Sequence, residues 1–179
     1  MKEVHHMEKT IEEIMSSEMK HKEQVALMAD MAKSDEIALA QLFDILRTGS
    51  DVQKGTAAEV MKFVSKDNPD SMLPYIDVLV EFIDYKAPRV KWGCPEAIGN
   101  IAQKYPREVE KAIPKLLKNL KEMSTVVRWC AAFALTEIAI FNREKQAELA
   151  GIIRDLIKTE HNNGVRNVYV KALKDIETQ

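Results

Sequence analysis

Apolar residues recur along this chain at the spacing of one helix face, and the helices they predict recur in turn. The strings VQKGTAAEVMKFV, VKWGCPEAIGNIA, VRWCAAFALTEIA and VRNVYVKALKDIE open at Val52, Val90, Val127 and Val165, steps of 38, 37 and 38 residues. Eight positions on stand Val60, Ile98, Leu135 and Leu173; eleven on stand Phe63, Ile101, Ile138 and Ile176. Ala97, Ala134 and Ala172 hold the seventh position, where Glu59 is the exception. At about 100° per residue, offsets 4, 7, 8 and 11 share one side of a helix. Each string therefore predicts an amphipathic helix with small residues where a neighbour comes close.

A second helix precedes each of these. Val109, Ala112, Ile113, Leu116, Leu117 and Leu120 follow helical spacing, as do Leu149, Ile152, Ile153, Leu156 and Ile157. Leu73, Ile76, Leu79, Val80 and Ile83 do so in an earlier unit, and Leu39, Leu42, Phe43 and Leu46 in the first. Pro69 and Pro106 are expected at first helical positions, and Asp51, Ser124 and Asn162 or Asn163 as N-caps. No segment alternates with period two over a useful length, so no sheet is expected. A repeat of this length is the mark of a solenoid, in which each unit buries its apolar face only by stacking on the next.

The chain resembles the HEAT-repeat family at this point. That family's second helix opens with Val-Arg and runs into Ala-Ala-x-Ala-Leu-x-x-Ile. Val127-Arg128 followed by Ala131-Ala132-Phe133-Ala134-Leu135-Thr136-Glu137-Ile138 is the nearest match; Val165-Arg166 and Val90-Lys91 follow more loosely, and the first unit departs with Gln53 in the basic position. Pro74 and Pro114 stand inside the first helices, as the family's outer helices often have it. The resemblance covers about residues 35–177 and implies an all-α superhelix of about four helix pairs: 35–67, 68–105, 106–142 and 143–179. Residues 1–34, with Ile11, Ile14, Met15, Val25, Met28, Ala29 and Ala32 at helical spacing, read as an N-terminal helical cap or a degenerate repeat, all in one domain. A tetratricopeptide pattern is absent.

The side of each second helix opposite its core residues carries the candidate site. Offset 2 gives Lys54, Trp92, Trp129 and Asn167; offset 6 gives Ala58, Glu96, Phe133 and Lys171; offset 9 gives Met61, Gly99, Thr136 and Lys174; offset 13 gives Ser65, Gln103 and Ile140. In a HEAT solenoid this side is expected to line the concave surface. Both tryptophans thus hold equivalent positions in adjacent units, with Phe133 one turn beyond Trp129. Aromatics exposed in a groove are the usual anchors of a binding surface. The alternative is that tight curvature, or the N-terminal helix, buries them. A basic row, Lys91, Arg128 and Arg166 with Lys54 one position on, reads either as an anion site or as a ladder tying neighbouring units to Asp84, Glu122 and Glu160.

Composition narrows the chemistry further. With 179 residues and a formal net charge of −2, the whole molecule does not attract nucleic acid or anionic membranes. Cys94 and Cys130 form no CxxC and read as reduced thiols of a cytoplasmic protein. No run is long enough for a membrane span, and no signal peptide is visible. His5-His6 reads as a terminal pair and His161 as a solvated turn residue. No phosphate loop, HExxH, GxSxG or Cys/His cluster occurs, so neither catalytic residues, nor a metal, nor a cofactor is expected. The reading is a binding scaffold for a protein or peptide on Trp92, Trp129, Phe133, Lys54, Lys91, Arg128, Arg166 and Asn167. The resemblance also leaves room for nucleic-acid binding, as in the HEAT-like alkylpurine DNA glycosylases, which the net charge disfavours, and for a subunit similar to the HEAT-like bilin lyases.

Overall fold

A computed structural model describes residues 9–179. The His5-His6 pair lies outside them. Ten α-helices and no strand occur among the described residues. The helices are α1 (Ile11–Met15), α2 (His21–Ala32), α3 (Glu36–Thr48), α4 (Asp51–Asp67), α5 (Ile76–Phe82), α6 (Pro88–Ile101), α7 (Ile113–Asn119), α8 (Thr125–Phe141), α9 (Gln146–Thr159) and α10 (Asn163–Glu177). None is long and apolar enough to cross a membrane. Helices α4, α6, α8 and α10 form one row, each packed on the next. Helices α3, α5, α7 and α9 lie behind them and touch one another far less, so the second-helix row is the tighter, inner side of the superhelix. Helix α2 packs on α4 and α3 ahead of the first pair.

Small residues allow the close row. A Cβ on Gly93 would stand 2.4 Å from the Ala58 carbonyl oxygen, so α6 meets the α4 backbone at a point where no side chain fits. Ala57, Ala58, Ala97, Ala131, Ala134 and Ala139 are all buried in the same seam.

Prolines shape the outer helices. Pro74 has no N–H for the Asp70 carbonyl, and its ring would clash with that carbonyl in an α-helix. Pro69–Tyr75 is accordingly a 3₁₀ stretch, and α5 begins only at Ile76. Pro114 enforces the same change: Glu108–Ala112 is 3₁₀, and Pro114 sits in the first turn of α7, where its missing N–H leaves no bond unmade. Two expectations change as a result. Leu73, placed on the core face by α spacing, is 42% exposed, and Met72 is buried in its stead, because a 3₁₀ turn has about three residues rather than 3.6. Pro106 lies in the turn before its 3₁₀ stretch, not at a first helical position.

The N-caps correct the register of the first unit. They are Ser50, Ala87, Ser124 and Asn162, at steps of 37, 37 and 38. Ser50 forms a capping box with Gln53, so Ser50 is the cap and Asp51, the expected one, is the first helical residue. The equivalent of Val90, Val127 and Val165 is therefore Gln53, not Val52. Val52 is 72% exposed, whereas the other three valines are buried. Counted from Gln53, core offsets 4, 7, 8 and 11 fall on Ala57, Val60, Met61 and Val64, all fully buried. Phe63, expected in the core, is 41% exposed beside α2. Lys54, Ala58, Met61 and Ser65, expected to face outward, are buried.

Candidate functional site

With the register corrected, the outward offset 2 reads Gly55, Trp92, Trp129 and Asn167, and offset 6 reads Glu59, Glu96, Phe133 and Lys171. The aromatic residues occupy only the middle of the row. Over Gly55 lies the Arg89 side chain, whose Cβ would be 2.9 Å from a Cβ added at Gly55. Arg89 there bonds Glu59 at 2.8 Å, and His21 of α2 bonds the same carboxylate at 2.7 Å.

Trp129 and Phe133 are brought together. One turn apart on α8, their rings lie parallel, 6° between planes and 5.8 Å between centroids. This offset stack suits the ring quadrupoles. Gly99 makes it possible: a Cβ there would be 2.5 Å from the Phe133 ring, so Phe133 lies flat across α6. Trp129 stays 36% exposed. The pair forms one wall of a trough of about 400 Å³ between α8 and α10, whose other side carries Asn167, Lys171 and Asp175, with Glu137 beside the aromatic wall.

Trp92 is separate from this trough. It is half-buried in a smaller depression with Lys62, Arg89, Glu96 and Val126. Its indole Nε1 is buried and finds no hydrogen-bond partner among the described residues. The two indoles thus line distinct depressions of the same inner row, and α2 does not cover Trp129.

The basic row is largely consumed within the fold. Lys54, 6% exposed, donates to the Leu46 and Arg47 carbonyls at 2.6 Å each, closing the C-terminal end of α3, with the Phe82 ring 5.1 Å from its ammonium. Lys91 meets Glu122 of the next unit at 2.6 Å. Arg128 forks onto Glu160 of the next unit at 3.0 and 3.2 Å and donates to the Glu122 and Met123 carbonyls. Asp84 takes Lys115 and Lys118 instead of a row member. The ladder is therefore present at Lys91 and Arg128, linking the second unit to the third and the third to the fourth. Arg166 is exposed and makes no ion pair among the described residues. Of the eight residues expected at the site, Trp129, Phe133 and Asn167 share the trough; Lys54, Lys91 and Arg128 are tied to backbone or carboxylates.

The trough also holds two carboxylates the sequence reading left out of the site. Desolvation pushes the Glu137 carboxyl above its ordinary value; Lys171 counteracts this and Asp175 adds to it. The signal was available, because Glu137 and Asp175 are 38 residues apart at offset 10 of successive units. Elsewhere, burial pushes the Cys94 thiol up to about 12, and burial with the Glu96 carboxylate pushes Cys130 up as well. Among the described residues, no group of three or more His, Cys, Asp or Glu gathers as metal ligands.

No family model matches the chain, and no curated protein matches it. Among solved structures, the crystal structure of an engineered protein is similar over 94% of this chain and 78% of that one, with a TM-score of 0.67 and 19% identity. A designed armadillo repeat protein, solved in complex with the peptide (KR)4, is similar over 94% of this chain and 85% of that one, with a TM-score of 0.66 and 16% identity. At such identities the likeness concerns the fold, and the fold is a helical-repeat solenoid.

Proposed function

We propose that this helical-repeat solenoid is a non-catalytic binding module that holds a segment of a partner protein along its inner row of helices. The observation that carries the reading is the stacked Trp129–Phe133 pair left open to solvent in the trough between α8 and α10. A lone surface has no folding reason to present two large rings in parallel, and a partly exposed aromatic wall is what anchors a bound chain. Asn167 stands on the opposite wall, where its amide, unbonded among the described residues, can bond a peptide main chain. The solved neighbour that carries a peptide, (KR)4, supports the same class of ligand for this architecture. On the Val-Arg openings of its second helices we read the repeats as HEAT-like, with the α1–α2 segment as a cap on a single domain.

The test is selection of peptides from a displayed random library on the intact protein, followed by affinity measurement on the Trp129→Ala and Phe133→Ala variants. Truncating a hot-spot aromatic costs about 2 kcal/mol or more, which is at least roughly thirtyfold in Kd. Selected peptides that bind both variants as tightly as the wild type would overturn the reading.

A further inference from the structure

We propose that the trough between α8 and α10 is a cation site: it takes an arginine side chain of the bound peptide, stacked on Trp129 and Phe133 and bonded to Glu137 and Asp175. This deepens the peptide-binding reading of the same trough and rests on it.

The case begins with where carboxylates find partners. Of the other half-buried acids, Glu59, Asp84, Glu96, Glu122 and Glu160 each meet a cation of the fold, and Glu110 accepts a hydrogen bond from the Asn142 amide. Glu137 and Asp175 are half-buried as well, yet neither meets a cation within ion-pair distance among the described residues, and both line the same trough. Burial without a partner is unfavourable for the ionised form, which is why the Glu137 carboxyl is pushed upward. Lys171 lines the trough one turn before Asp175 and does not close on either acid. Two carboxylates against one ammonium leave the lining net negative.

The walls then choose among ligands. An acidic peptide or a phosphate backbone would bring like charge against Glu137 and Asp175. A neutral side chain would cover Glu137 further and leave it unpaired. A cation satisfies the carboxylates and is attracted by the ring faces of Trp129 and Phe133. Between the two basic side chains the guanidinium fits better, because it is planar, stacks on aromatic rings and offers donors in a fork that two carboxylates can share. Arg128, the nearest arginine on the same helix, cannot serve as an internal substitute: its guanidinium is already forked onto Glu160.

The probe is a fluorescein-labelled octapeptide of alternating arginine and serine, compared with the same peptide carrying citrulline, which keeps the planar end group and removes its charge. Affinity is read by anisotropy on the full chain. The proposal expects the arginine peptide to bind, and citrulline, Glu137→Gln and Asp175→Asn each to weaken binding about tenfold, the scale of a lost charge-assisted bond. Trp129→Ala should weaken it by about thirtyfold or more, while Asp44→Asn, on an exposed acid of α3, leaves it unchanged. Native helicity of each variant is checked by circular dichroism. Equal binding of the two peptides, with loss on Trp129→Ala, overturns the cation site and leaves the peptide groove standing. Arginine-peptide binding indifferent to Trp129→Ala and Glu137→Gln alike, or no binding at all, overturns it too. A short DNA duplex that binds the protein and competes with the peptide overturns it in favour of a nucleic-acid surface.

Discussion

Replacing Gly93 by alanine separates packing from helix propensity at a close backbone approach of α6 to α4. A methyl group there would lie 2.4 Å from the Ala58 carbonyl oxygen, 2.5 Å from its carbon and 2.8 Å from its Cβ. Carbon atoms rest at about 3.5–4.0 Å, so α4 and α6 must part by roughly 1 Å. The obstacle is backbone and cannot rotate away. Overpacking of this kind costs about 1–3 kcal/mol, and a main-chain clash belongs at or beyond the upper end. Alanine within a helix recovers about 1 kcal/mol relative to glycine. The net expectation is a loss of about 2 kcal/mol or more, or a Tm lower by about 4–8 °C or more for a chain of this size. Gly151 in α9 supplies the control, because a Cβ there meets nothing within 4 Å. Gly151→Ala should gain about 0.5–1 kcal/mol. The two substitutions are chemically identical and should move thermal and urea unfolding, followed by circular dichroism, in opposite directions. A Gly93→Ala variant as stable as the wild type would refute the close approach of the inner helices.

Arg128→Leu should lower stability by about 1–3 kcal/mol in urea unfolding, since it removes the cation from Glu160, which keeps only the Asn162 N–H, and the donor from two carbonyls. The acid side of the pH–stability curve carries the same pair. Burial works to raise the Glu160 carboxyl, but the Arg128 fork and the Asn162 N–H outweigh it and hold it below the ordinary glutamate value of 4.5. The stability this contributes is complete above that value and lost as pH falls through the lower folded one; in Arg128→Leu that part of the slope should flatten. Single-tryptophan variants made by Trp92→Phe and Trp129→Phe should differ in acrylamide quenching, with Trp129 the more accessible; equal quenching would contradict their placement. Both thiols should resist a disulfide reagent in the native protein and react together on unfolding, because buried Cys94 and Cys130 hold their protons.

The core and outward faces of three second helices were legible because their positions obey one period, which the units opening at Val90, Val127 and Val165 keep without slip. Ser124 and Asn162 were readable as caps for the same reason: their side chains act on amides three residues on. In the first unit an apolar Val52 drew the alignment one residue early, although the Ser50–Gln53 capping box marks the true start. That slip sent Lys54 to the surface and Phe63 to the core, the reverse of where they lie. The basic row was visible as a row, but its purpose was not, because Lys91 and Arg128 find their acids 31 and 32 residues further on.

What the chain determined by itself is local and periodic: helices rather than strands, their repeat, the Ser124 cap, and a pair of tryptophans at equivalent positions. Each follows from forces within a turn or two of one helix. What tertiary structure decided is which outward residues remain free. Gly99 lets Phe133 lie down beside Trp129, Trp92 sinks into its own depression, the ladder neutralises its cations, and Glu137 and Asp175 face one trough with no cation paired to them among the described residues. Those outcomes depend on distances between helices more than thirty residues apart, which periodicity along one chain does not encode.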